Sequence, residues 1–235
     1  MLVRLHLWYT EATLSNYAAR HSYFRYFPVR RGSWLCTMVG MAARSDSKDR
    51  MITAARRLFR EHGYTGTAMS DVIAESQAPR GSLYFHFPGG KEELATEVVL
   101  RYTADVIAHI NRTAGRTDTA REFVADFLAY FRDEIAASDY REGCAVAPIV
   151  VESTPASKPL TAVISRGFRD VIAVLSARLV EKAVPDSDAD AIAINILTTM
   201  EGALIMSRVL RSISPFDTAI SMLTTSLSGI AEPRR

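Results

Sequence analysis

Apolar residues recur at intervals of three and four along most of the chain, and the C-terminal half shows no strand-like alternation. Met51, Ile52, Ala55, Leu58 and Phe59 form one face of a first helix. It is predicted to start at an N-cap of Asp46 or Ser47, to continue through Arg60 and to stop at Gly63. Lys48, Arg56, Arg57 and Arg60 cover its outer side. A long helix is predicted from Lys91 to about Arg112, where Leu94, Val98, Tyr102, Val106 and Ile110 return every four residues and Gly115 closes it. It spans roughly 30 Å, enough to join a small head to a separate body. Next comes a helix from about Thr119 to Ala137, with Phe123, Phe127, Tyr130 and Phe131 on one side. The stretch Glu142–Pro148 opens a short helix ending near Ser153. After Pro155 and Pro159 another helix carries Val163, Ile164, Phe168, Val171, Leu175 and Leu179.

The last two helices follow a different pattern. Between Asp188 and Leu210, Asp190, Glu201 and Arg208 project within about 20° of one another, and apolar side chains take most other directions. A helix apolar nearly all round must be covered on more than one side, either by its own chain or by a second subunit. Phe216, Ile220, Leu223, Leu227 and Ile230 then repeat at fours and threes, like a coiled-coil seam.

Residues Thr67 to Lys91 carry shorter units. A helix of about Ser70 to Ser76 has Met69, Val72 and Ile73 as its apolar positions, and a tight turn follows at Gln77-Ala78. A second helix of about Pro79 to Phe85 gives Leu83 to the core and keeps Arg80, Ser82, Tyr84 and His86 as polar handles, before a break at Pro88-Gly89-Gly90. Two short helices joined by a turn of three or four residues make a helix-turn-helix, whose second helix enters the DNA major groove. The chemistry fits that use. Thr67 can cap the first helix and meet a phosphate, and Arg80 can reach a guanine edge or clamp a phosphate. Gly81 lets the helix approach closely, and Ser82 can touch base edges. Tyr84 and His86 offer a phenol and an imidazole, and Lys91 offers an ammonium at a helix start. Phe85 can contact a thymine methyl. Phe87 is read as core, whereas Tyr84 fits either core or interface.

The run Asp49–Leu94 resembles the DNA-binding domain of TetR-family transcriptional regulators. Within it, APRGSLYFHFPGGKEEL further resembles a subgroup of repressors that answer to lincomycin-type drugs and flavonoids. The resemblance implies an all-α protein, with a three-helix helix-turn-helix DNA-binding domain over 42–91 and a helical ligand-binding and dimerisation domain over 92–235. It implies a homodimer formed through helices at about 188–211 and 215–230, seated on a palindromic double-stranded DNA operator and released by a small hydrophobic inducer. Thr67, Arg80, Ser82, Tyr84, His86 and Lys91 match family positions that contact DNA. The resemblance also implies an inducer cavity, for which Phe123, Phe127, Cys144, Phe168 and Met200 are the candidate lining, each equally at home in an ordinary core. Many members have glycine where this chain has Gln77. A glutamine held at positive φ there would carry about 1–2 kcal/mol of strain, so either the first helix extends by a residue or the turn differs.

Charge supports this division. Residues 1–41, 42–91 and 92–235 carry +4, +3 and −5, which draws the N-terminal half to a phosphate backbone. Residues 1–41 are aromatic- and Arg-rich without periodicity and stand outside both domains. They read either as a basic arm adding DNA contacts or as sequence preceding a start at Met38 or Met41, and the lack of packing pattern favours the second. Cys36 and Cys144 lie far apart, outside any metal-ligand spacing, as in a reducing compartment. No apolar run of about 18 residues indicates a membrane span. A cytoplasmic, nucleoid-associated protein without cofactor or metal is expected. An enzyme is disfavoured because HExxH, P-loop and GxSxG motifs are missing and the five histidines do not cluster with carboxylates. An architectural or membrane-associated role through the N-terminal arm is the third reading. It requires residues 1–40 for function, which the regulator reading does not.

Overall fold

The computed structural model describes residues 34–228, and all nine elements among the described residues are α-helices. They are α1 (Trp34–His62), α2 (Met69–Ser76), α3 (Arg80–His86), α4 (Gly90–Ala114), α5 (Ala120–Ala137), α6 (Ala147–Ser153), α7 (Lys158–Glu181), α8 (Asp186–Leu210) and α9 (Ser214–Ser228). From Ala43 onward the described residues belong to one compact unit. Of the arm expected over residues 1–41, residues 1–33 lie outside the described residues and the rest continues into α1.

α1 departs from expectation at its start. Asp46 and Ser47 do not cap it, because the helix already runs from Trp34. No proline stands between Trp34 and Ser47, and the Met-Ala-Ala-Arg run ahead of the two candidates favours helix, so the helix passes through them. Asp46 instead pairs with Arg50 one turn on, and Ser47 is buried. The other end is as expected. Gly63 takes φ +82 and donates its N–H to the Phe59 carbonyl at 3.1 Å. That backbone conformation calls for glycine, and a Cβ there would also lie 2.7 Å from Glu152 Oε1 and push that carboxylate aside.

Met51, Ile52, Ala55, Leu58 and Phe59 are buried with Val72, Leu83 and Phe87 in a single core that continues into the C-terminal helices. Polar ties reinforce it. Arg57 of α1 pairs with Glu75 of α2 at 2.7 Å, Arg50 donates to the Ser76 carbonyl at 3.1 Å, and Lys48 and Arg101 bridge α1 and α4.

In the remainder, α4 packs on α7 and on α5, while α5, α8 and α9 pack together. Gly167 of α7 permits the close crossing with α4, since a Cβ would fall 2.6 Å from Thr103 Oγ1. Thr119 caps α5 by accepting from Glu122 N at 3.2 Å, and the Glu122 carboxylate accepts from Thr119 N in return. α8 is the one described helix whose length and composition would let it cross a bilayer. Here its apolar character serves two faces: one packed on α5, α7 and α9, the other turned outward.

Candidate nucleic-acid interface and ligand cavity

The turn between α2 and α3 follows neither expected alternative. α2 ends at Ser76, and Gln77 itself adopts the left-handed conformation, φ 51 and ψ 30. Its N–H donates to the Ala74 carbonyl at 3.4 Å, so the turn keeps the shape a glycine would give it. α2 is capped at Ala68, not Thr67: the Asp71 carboxylate accepts from Ala68 N at 3.1 Å. Thr67 is buried and donates its hydroxyl to the Gly63 carbonyl at 2.8 Å. The side chain closes the α1–α2 loop, because the chain must turn tightly there and the nearest open acceptor is that carbonyl.

α3 is anchored by Leu83 and Phe87, both fully buried, so Phe87 is core as expected. Opposite them Tyr84 and Phe85 are 69% and 67% exposed, which decides for Tyr84 against core packing. Arg80 opens the helix, and Gly81 is exposed with open space where a Cβ would stand. Ser82 donates to the Pro79 carbonyl at 2.6 Å. His86 is half-buried, and its Nε2 shares a 2.9 Å hydrogen bond with the Ser47 hydroxyl on α1.

Lys91 is held by its own chain. Its Nζ lies 4.6 Å from the Tyr64 ring centroid and 3.5 Å from the Thr65 carbonyl. Burial lowers its pKa, against the opposing pull of Glu152 and Asp71. The Glu93 carboxylate accepts from Gly89 N at 2.8 Å and caps the start of α4. Glu152 of α6 reaches back to the α1–α2 loop, accepting from the Thr65 N–H and hydroxyl and from Tyr64 N at 3.3 Å. Burial works to raise its pKa, but those donors and Lys91 bring it below the ordinary carboxylate value.

Behind this head α4, α7, α8 and the loop before α6 enclose an apolar cavity of about 40 Å³. Of the expected lining it brings together Cys144, Phe168 and Met200. Phe123 and Phe127 do not reach it, which corrects the expectation from sequence. α5 meets α4 at His109 instead, where Phe127 stacks on the imidazole at 5.5 Å and Phe123 and Phe131 pack beside Phe127. Tyr102, Thr103 and Glu201 complete the polar lining, and the sequence did not single them out for it. The available signal was Glu201 itself, an acid isolated on a helix apolar nearly all round.

Glu201, Cys144 and Tyr102 form a cluster in which Cys144 is buried and the other two are half-buried. Burial pushes the Cys144 thiol up to about 12 and raises the Tyr102 phenol well above its usual value. It also raises the Glu201 carboxyl, against the opposing hydrogen bond from Cys144. The cluster adjoins the grip on the end of α1. Arg60 Nε donates to the Gly143 carbonyl at 2.7 Å, and its guanidinium pairs with Glu142 at 2.7 Å. Arg208, two turns beyond Glu201, donates to the Arg60 and Glu61 carbonyls at 2.9 and 2.7 Å. Cys144 follows Gly143 directly, so the cavity wall and the α1 terminus share one set of bonds.

Two family descriptions match the chain: residues 51–98 as the bacterial regulatory proteins of the tetR family, and residues 120–222 as the C-terminal domain of LmrA/YxaF-like transcriptional regulators. An HTH-type transcriptional regulator of Mycobacterium tuberculosis (strain H37Rv) is 33% identical over 175 residues, covering 72% of this chain and 88% of the relative. The HTH-type transcriptional regulator LmrA of Bacillus subtilis (strain 168) is 32% identical over 173 residues, covering 72% and 90%. Among solved structures, the TetR-family regulator CifR, in complex with a 26-base-pair operator DNA, superposes with a TM-score of 0.65 at 19% identity, covering 75% of this chain and 94% of that one.

Proposed function

The chain belongs to the TetR family of transcriptional regulators, which bind DNA and are not enzymes, and we propose that it is a cytoplasmic homodimeric repressor released from its operator by a small, largely apolar molecule. The observation that carries the reading is α3: anchored by Leu83 and Phe87, it holds Gly81, Tyr84 and Phe85 outward. Such a helix lies along the major groove, with Arg80 for a guanine edge or phosphate and Phe85 for a thymine methyl. Ser82 and His86 on the same helix, and Lys91 at the start of α4, would each turn toward phosphate by a change of partner on binding. Thr67, buried and bonded inward, supports the loop and makes no DNA contact in this proposal.

Two such helices read one palindrome when a twofold dimer sets them about 34–36 Å apart. The outward stripe of α8 suits that partner: Ile194, Ile205 and Val209 are exposed on it, and Met222 lies on neighbouring α9. Gly202, in the middle of the stripe, has open space at its Cβ position and would let a second helix come close. The free cavity has room for about three waters. An inducer therefore has to move its walls, and the shared bonds of Gly143, Arg60 and Arg208 would carry that movement to the head.

The test is a gel shift with DNA from upstream of the gene. Wild-type protein retards it, and Arg80→Ala combined with Tyr84→Ala abolishes the shift. A folded double variant that binds normally would overturn the assignment of α3 as the reading helix.

A further inference from the structure

The cavity wall is apolar for most of its area, yet its few polar and polarisable groups share one character. None carries a positive charge: beside the Thr103 hydroxyl stand the Glu201 carboxyl, the Cys144 and Met200 sulfurs, and the electron-rich Tyr102 and Phe168 rings. No Lys, Arg or His lines it. Glu201 makes no ion pair among the described residues, and its neighbour is the Cys144 thiol. Arg208, two turns along the same helix, is committed to the carbonyls that end α1. A carboxyl in so apolar a place is costly to ionise without a cation, and aromatic faces favour a cation beside them.

We infer that the cavity takes an amphipathic amine, its ammonium paired with Glu201 and its apolar part displacing Met200 and Phe168; this assignment rests on the reading of the chain as a ligand-responsive regulator. An anion finds no cationic partner in this wall, and a neutral isostere lacks the pairing. Burial raises the Glu201 pKa, so its carboxyl holds its proton more firmly than an ordinary one. Pairing with an ammonium therefore releases up to one proton to solvent, and amine affinity rises with pH. The groups facing Glu201 are Tyr102 from α4 and Cys144 from the loop before α6. α7 offers Ile164, Gly167 and Phe168, none of which titrates, and Arg60 acts on Tyr102 from beyond the wall.

The experiment titrates the full-length protein with 2-phenylethylamine, 2-phenylethanol and 3-phenylpropionate by calorimetry, in two buffers of different ionisation enthalpy. The amine should bind roughly tenfold more tightly than the alcohol, the acid should not bind, and only the amine should release protons. Glu201→Gln should bring the amine down to the alcohol and remove the proton release. Equal binding of amine and alcohol, an unchanged Glu201→Gln affinity, or no binding by any probe would each overturn the inference. If Glu201→Gln does not fold, the wild-type pH series decides. Amine affinity that rises with pH beside a flat alcohol curve supports the pairing, and parallel curves overturn it. Operator binding is measured on the same protein. An amine that binds by pairing but leaves the operator complex intact keeps the ligand class and removes the ligand response.

Discussion

Gln77 holds a conformation that glycine adopts without cost. Its left-handed backbone carries strain of about 1–2 kcal/mol, partly offset by the smaller entropy a glutamine loses on folding. Gln77→Gly is accordingly expected to raise stability by about 1 kcal/mol in urea unfolding, and a loss of stability would show the turn to be relaxed. Gly81 presents the reverse case. Open space surrounds its Cβ position, so Gly81→Ala should leave the fold intact and add about 0.5–1 kcal/mol through helix propensity. If the position exists for close approach to DNA, the same alanine should weaken operator binding by roughly tenfold in a fluorescence titration. Equal affinity would reduce Gly81 to a weak point of α3. Both positions are legible in the sequence as departures from local preference. Only the structure shows that Gln77 is strained and that Gly81 faces nothing in its own chain.

Among the elements, α4 and α5 are predicted almost to their ends, α4 by its four-residue period and Gly115, α5 by its aromatic face and a start at Thr119. What each face meets is not legible in the same way. The Phe123–Phe127 face, expected at a cavity, packs around His109 of α4. That imidazole stacks 4.1 Å from Tyr130 and 5.5 Å from Phe127, and its Nε2 has no hydrogen-bond partner among the described residues. Burial pushes its pKa below 6.5, with Arg112 and Arg116 adding to the shift and Asp126 and a Phe127 backbone bond opposing it. The folded protein therefore prefers the neutral ring, and the unfolded chain takes up a proton first as pH falls below 6.5. Stability present above that pH should be lost below it. Calorimetry should show the melting temperature falling by a few degrees between about pH 7 and 5.5, and falling less in His109→Phe. An equal fall in both would place the acid sensitivity elsewhere.

For the molecule as a whole, the outward stripe of α8 and the Met222 side of α9 lack a cover within the described chain. Val209 is 74% exposed and Ile205 61%. Ile205→Glu with Val209→Glu would place two like charges on each side of a twofold interface. Sedimentation should then report a monomer, with operator affinity lost and helicity retained. A double variant that stays dimeric would move the interface off α8.

The sequence alone determined the helices, the helix-turn-helix and the core positions Leu83 and Phe87, because periodicity, caps and breakers act over a few residues. Tertiary structure decided which polar groups face inward. Thr67 and His86, outward handles by local pattern, are bonded to Gly63 and Ser47. Glu201 and Arg208 share one helical stripe, yet one meets a cavity and the other meets the end of α1. A stripe sets only the direction in which a side chain leaves its own helix. What it meets depends on the helices packed around it, and a local pattern does not encode those neighbours.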